Sequence, residues 1–411
     1  MQGFFRVMPL MGAAAWLLLS ATAWSGEEEK PPLHHVPSAN CGECHKEIYL
    51  QWSDSMHAKS TALNDPIHGA VYRLEAGDPT QEGVTHKATG AYPPCLQCHA
   101  PNAARDKSTK LDANPAYSEG VNCVVCHTMK NYKGIHGEDG KMRMGAAAYE
   151  FANDSLQGPD GGPHGSKPTF APGSGGGEPT VNPFPQQANP MLFKGSDACL
   201  GCHQMMANPQ KVAVCNIGEN LLGKNTPAPT CQSCHMPVVN GFVSHEMAGG
   251  HDTNRVKKSL ATTVAAKAEG DKVQAVVTLK NTLLHTLPNG APFRNMVVKV
   301  TALNDKGEVV WSNFKENPMQ EDPQSVLMLK LVNDEGQPVM PPQATKIGGD
   351  SRLQPGEQRQ ITYTIPAPGV KSVKAVVLFN LMTKPMIEKI GATIPEDLKK
   401  PAVVGQADAL L

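Results

Sequence analysis

The sequence predicts two unlike parts. The first is short helices and loops wrapped around a core that is not protein, and the second is a C-terminal all-β, sandwich-like domain. Three observations predict this. Ten of the eleven cysteines fall into five copies of Cys-x-x-Cys-His, all within the first 235 residues. Aromatic residues are only 5% of 411, with four Trp and ten Phe, too few to build a core of that size from side chains alone. Beyond about residue 256 the cysteines stop and alternating, β-branched runs begin.

In chain order, residues 1–25 read as a cleaved signal peptide. Arg6 supplies the positive start, Val7 to Leu19 the short apolar stretch, and Ala21-Thr22-Ala23 an A-x-A-like cleavage site. Without paired arginines the general secretory route is favoured, and the expected location is the periplasm or the cell exterior. No apolar run of membrane-spanning length lies beyond residue 30. With 37 basic and 38 acidic residues, the chain has no basic excess to neutralise phosphates, which excludes an electrostatic nucleic-acid binder.

Residues 26–255 carry the five motifs: Cys41-Gly-Glu-Cys44-His45, Cys95-Leu-Gln-Cys98-His99, Cys123-Val-Val-Cys126-His127, Cys199-Leu-Gly-Cys202-His203 and Cys231-Gln-Ser-Cys234-His235. An exported, cysteine-rich chain would ordinarily be a disulfide framework, but this spacing is the c-type haem attachment signature. Two thiols one helical turn apart add across the two vinyl groups of haem, and the adjacent histidine turns to the iron. Chance at these Cys and His frequencies supplies about 0.01 such matches. Zinc ribbons share the cysteine pairs but do not require a histidine after each second cysteine. The expectation is five covalently attached haem c groups, whose macrocycles replace the missing aromatic core. Cys215, flanked by Val212, Val214 and Ile217, reads as a small buried hydrophobe. Residues 158–190, with Gly or Pro at 16 of 33 positions, read as a long irregular loop.

Ten histidines lie outside the motifs: 34, 35, 57, 68, 86, 136, 164, 245, 251 and 285. That exceeds the five needed to fill every second axial position, so all five haems could be bis-His. His57, His245, His251 and His285 lead as distal metal ligands, followed by His164 and His136; His68 and His86 rank lower, and His34 and His35 lowest. If the first motif opens a helix, His57 lies about 18 Å beyond His45. It then serves a neighbouring haem rather than its own.

Residues 256–411 contain one histidine, His285, and no cysteine. Strand patterns occur at Lys272–Lys280, Met296–Leu303, Gln360–Ile365 and Val373–Leu381, separated by Pro288-Asn289-Gly290, Asn304-Asp305-Lys306-Gly307 and Pro355-Gly356. About six strands in a sandwich are expected.

The stretch CGECHKEIYLQWSDSMHAKS resembles the C-x-x-C-H…W-x-x-S-x-H-A opening of the multihaem cytochromes related to the tetrahaem electron carrier of ammonia oxidisers. CLQCHAP at 95–101 and CQSCHMP at 231–237 are also similar to that superfamily. NTLLHTLPNGAPFRNMVVKVTALNDKGEVV resembles a segment found C-terminal to the haems in exported multihaem cytochromes. The resemblance implies stacked, mainly bis-His haems that relay electrons, with His57 a distal ligand. This chain departs from the tetrahaem carrier by a fifth haem and a β-domain.

Three functions fit these residues. An electron relay in a respiratory chain needs no substrate pocket and is favoured over an enzyme. An oxidoreductase acting on a small nitrogen or sulfur compound needs an iron with an open distal position. No Cys-x-x-Cys-Lys, the usual catalytic motif of pentahaem nitrite reductases, occurs here. A subunit of an extracellular cytochrome filament would lend a spare histidine to its neighbour. Expected partners are redox proteins as donor and acceptor, with possible association with membrane redox complexes.

Overall fold

Each motif lies in or at the end of one or two turns of helix, and a side chain caps the third and fifth at the N-terminus. The helices are Ser38–Gly42, Leu96–His99, Cys123–His127, Asp197–His203 and Cys231–His235. Asn122 caps the third by accepting from the Val125 amide (3.1 Å), and Thr230 caps the fifth by accepting from the Ser233 amide (3.3 Å). Between the motifs lie Lys46–Asp54, Pro66–Glu75 and Pro101–Asp106, the second capped by Asp65. Among the described residues no helix exceeds ten residues.

The computed structural model describes residues 1–3, 31–160, 184–219, 221 and 229–411. The chain divides into Met1–Pro31 and a second unit, Pro32–Leu411, described below. The expected signal peptide, His164 and most of the Gly/Pro-rich stretch lie outside the described residues. The described end of that stretch corrects the expectation of a wholly irregular loop. Gln186–Ala188 pairs in parallel with Leu156–Gly158, and Pro190 opens the short helix Pro190–Phe193.

From Leu260 onward there are nine strands among the described residues: β1 Leu260–Glu269, β2 Lys272–Asn281, β3 Asn295–Leu303, β4 Val309–Ser312, β5 Val326–Val332, β6 Lys346–Asp350, β7 Gln358–Pro366, β8 Ser372–Asn380 and β9 Ala402–Leu410. They form two antiparallel sheets, ordered β7-β2-β1 and β6-β5-β3-β8-β9, with β4 paired to β3. Alternate residues of β2, β3, β7 and β8 point into one shared core that includes Val277, Leu279, Met296, Val298, Ile365 and Val377. The four strands read from alternation are all present. Nine strands exceed the six or so expected. Of the five not read, β1 and β9 alternate mostly between half-buried and exposed positions, β6 is exposed throughout, β4 has only four residues and β5 is a nearly continuous apolar run.

The β-rich region is not an appendage. Ile67 and Ala70 of the Pro66–Glu75 helix pack with Met382, Met386, Ile390 and Ile394. Val212 and Val214, between the fourth and fifth motifs, pack with Leu329, Leu331 and Ala344. Both clusters join the motif-bearing segment to the sheets.

Asn281, fully buried at the end of β2, holds the following loop. Its Nδ2 donates to the carbonyls of His285 (2.8 Å), Gln354 (2.9 Å) and Leu353 (3.3 Å), while its Oδ1 accepts from the Leu283 amide (3.0 Å). Replacing Asn281 by Ala removes these bonds and leaves the His285 carbonyl without that donor, whereas Leu353 O and Gln354 O keep the Leu287 and Glu357 amides. The expected cost is about 1–3 kcal/mol, read from denaturant unfolding followed by circular dichroism.

Candidate functional site

One cavity of about 2980 Å³ runs through the motif-bearing part, several times the roughly 300–1,000 Å³ of a single small-molecule site. All ten motif cysteines and all five motif histidines line it. None of the cysteines forms a disulfide. The side chains of Cys41 and Cys123, of Cys98 and Cys202, and of Cys199 and Cys231 are in hydrogen-bonding contact. The motifs therefore meet as first with third, second with fourth, and fourth with fifth. Of these, only the last pair is also consecutive along the chain.

The imidazoles are preset for metal. A main-chain carbonyl can only accept, so a ring nitrogen facing one must carry the proton and leave Nε2 with its lone pair. His99 Nδ1 donates to Ser60 O (2.9 Å), His127 Nδ1 to Gln157 O (2.9 Å) and His235 Nδ1 to Ala248 O (3.0 Å). Two spare histidines repeat the arrangement: His245 Nδ1 donates to Val243 O (2.8 Å) and His285 Nδ1 to Thr286 O (3.0 Å). Burial, then the neighbouring His203 charge, holds His57 down at about 3. Burial, then His235, holds His203 at about 4. Burial also lowers His68, His99, His127, His235, His245 and His285. All are neutral near pH 7, which is the form that binds metal.

The expected distal ligands separate cleanly by position. His57, His245, His251 and His285 line the cavity. His136 does not, and the structure corrects its candidacy: it is exposed, in an isolated bridge with Met142 whose turn faces solvent. His68 and His86, ranked low from sequence, also line the cavity. Nε2 of His68 is buried without a partner, and its ring stacks on His99 at 3.8 Å. The available signal for His68 was its place at the start of a capped, amphipathic helix, which turns it inward. His57 and His203 lie with ring centroids 6.1 Å apart and planes tilted by 46°, and His57 Nδ1 stands 2.8 Å from Met247 Sδ. Together the two residues could hold one haem iron between them.

The W-x-x-S-x-H-A segment acts as a bracket. Trp52 Nε1 donates to Val121 O (2.9 Å), the Val121 amide donates to His57 O (3.0 Å), and Ser60 Oγ donates to His99 O (3.0 Å). It thereby ties the first, second and third motifs together. Gly120, at φ +69°, sits where a Cβ would overlap Ser60 Oγ and His57 O. Gly201 inside the fourth motif lies against the Tyr149 ring, whose hydroxyl accepts from the Gly201 amide (2.8 Å) and donates to Asp197 O (2.9 Å).

From the β-rich part, residues 283–294 supply much of one wall, including His285 and Arg294. Arg294 is half-buried, and loss of solvation lowers its pKa despite the opposing pull of Cys215 and Asp65. It donates to Asn289 O (3.2 Å) and leaves the rest of its guanidinium facing the cavity, a cation suited to a haem propionate. Cys215 lines the cavity too, its thiol pushed up by burial.

The donor set, the tautomers and the cavity size fit haem c bound through paired thiols and axial imidazoles, which defines a multihaem c-type cytochrome. The family of cytochrome c554 and c-prime matches residues 40–128. Among solved structures, a penta-heme cytochrome c552 from Thermochromatium tepidum is 44% identical, covering 92% of this chain and 100% of that chain, with a TM-score of 0.85. No curated protein matches. The chain belongs to the multihaem c-type cytochromes, in the family of that pentahaem protein. It carries five covalently bound haem c groups and serves electron transport.

Gly201→Ala forces a methyl group into the Tyr149 ring. The expected destabilisation is about 1–3 kcal/mol, read as a lowered melting temperature. Intact mass then reports whether the fourth motif still receives its haem.

Proposed function

We propose that this protein is an exported electron relay of a respiratory chain, with all five haems bis-His. The observation that carries the reading is the supply of ligands. Six spare histidines (57, 68, 86, 245, 251 and 285) share the cavity with the five motif histidines. Bound there, haem c supplies a reversible one-electron couple whose potential is tuned by its ligands and burial. The chain's own residues fix tautomers, exclude water and set spacing. His57 opposite His203 is the proposed axial pair of the fourth haem.

The thiol contacts suggest an order for the path. The first motif meets the third and the fourth meets the fifth. Tyr149 bridges the gap, lying near Cys126 of the third motif and Cys202 of the fourth. Cys44 and Cys234 are the exposed members of the ten motif thiols. Donor and acceptor proteins are therefore proposed to dock at the first and fifth haems, over small and weakly held interfaces. Kinship with the tetrahaem carrier of ammonia oxidisers is proposed from the match over residues 40–128 and the W-x-x-S-x-H-A segment. Export rests on the reading of residues 1–25 as a cleaved signal peptide. The filament reading asks for a spare histidine near a terminus that binds no haem within the chain; His34 and His35 lie outside the cavity, bonded to Asp106.

Low-temperature electron paramagnetic resonance of the oxidised protein tests the relay. Five low-spin irons are expected. A large high-spin signal that vanishes on adding nitrite or hydroxylamine would instead favour the oxidoreductase. In His57→Ala, one iron of the five is expected to become high-spin while intact mass still shows five attached haems. An unchanged spectrum would remove His57 from the ligand set.

A further inference from the structure

We propose that His34, His35 and Asp106 form a site for one divalent late first-row transition-metal ion of the zinc class, separate from the haem cavity. Two imidazoles and a carboxylate make a nitrogen and oxygen donor set that suits zinc and its neighbours. Their ligand atoms all lie within 4.8 Å of one another. None of the three residues lines the haem cavity.

The convergence is not a local accident of sequence. The histidines sit on the short turn Leu33–His35 and Asp106 ends the helix Pro101–Asp106, 71 and 72 positions away. Consecutive side chains on such a turn ordinarily diverge. Here both rings turn to one carboxylate and meet edge to face at 4.4 Å. His34 Nε2 lies 2.8 Å from Asp106 Oδ1, and His35 Nε2 lies 2.6 Å from Oδ2.

A further residue orients the carboxylate. Tyr117 donates its hydroxyl to Asp106 Oδ2 (2.5 Å) and stands 3.2 Å from His35 Nε2. Such an outer hydrogen bond is the usual support of a ligating carboxylate. Metal bound at Nε2 would hold each neutral ring in its Nδ1–H tautomer, the proton moving from Nε2 to Nδ1 through water, keep the Tyr117 bond to Asp106 and leave its remaining coordination to water.

The consequence is structural. Asp106 closes the helix that follows His99, and Leu33 packs against Val124 inside the third motif. An ion here would clamp residues 33–35 onto the segments that carry the second and third haems.

The test uses the purified five-haem protein, stripped with a chelator and titrated calorimetrically with zinc chloride. Metal retained after gel filtration is counted by mass spectrometry. One zinc per chain is expected. Asp106→Asn and His34→Gln should each weaken binding at least tenfold, with the haem absorption spectrum unchanged. His136→Gln, at an exposed histidine outside the cluster, should bind as the unaltered protein does. Zinc should raise the melting temperature of the unaltered protein but not of the two site variants. Absence of stoichiometric binding, or equal binding by both site variants, overturns the proposal. The two variants remove different ligands, so failure of one to fold leaves the other to decide.

Discussion

The hydrogen bond from a histidine Nδ1 to a main-chain carbonyl is the interaction on which this molecule depends. It fixes which nitrogen carries the proton, how the ring is turned, and which lone pair faces the cavity. His99, His127, His235, His245 and His285 all make it. For the motif histidines His99, His127 and His235 the acceptor lies outside the motif helix, so the bond also fastens that segment beside the motif; His245 and His285 bond to carbonyls of their own loops. Ser60 is the clearest case: its carbonyl accepts from His99, and its hydroxyl donates back to the His99 carbonyl. Ring orientation and chain packing are thus set by the same groups.

The same economy explains why such short helices hold their positions. Elements of four to ten residues are marginal alone, and the small apolar clusters of the first part bury few side chains. Covalent attachment of large aromatic macrocycles to ten cysteines supplies what those clusters lack. Side-chain brackets supply the rest, with Trp52 reaching Val121 and Asn122 reaching the carbonyl of Val36 (3.4 Å).

The β-rich part has its own core and still shapes the site. Its sheets are packed without haem, yet the loop after β2 delivers His285 and Arg294 into the cavity. Asn281 makes this possible by satisfying three carbonyls at the point where the strand ends. A rigid sheet edge therefore presents a histidine and a guanidinium at fixed depth, as a loop without that anchor would not.

The covalent chemistry was legible in the sequence. Cys-x-x-Cys-His must be local, because both thiols and the histidine meet one macrocycle, so spacing alone pointed to five covalently bound haem c groups. Alternation likewise revealed β2, β3, β7 and β8, whose buried faces impose a period of two. β1 and β9 alternate mostly between half-buried and exposed positions and β6 is exposed throughout, so their side chains carry little apolar contrast to read. Distal positions are filled from afar, so no spacing rule marks them. Only the tertiary structure set His57 opposite His203, drew His68 inward, left His136 at the surface and turned His34 and His35 to Asp106. Those contacts join residues dozens of positions apart, and the packing of the whole chain decides them.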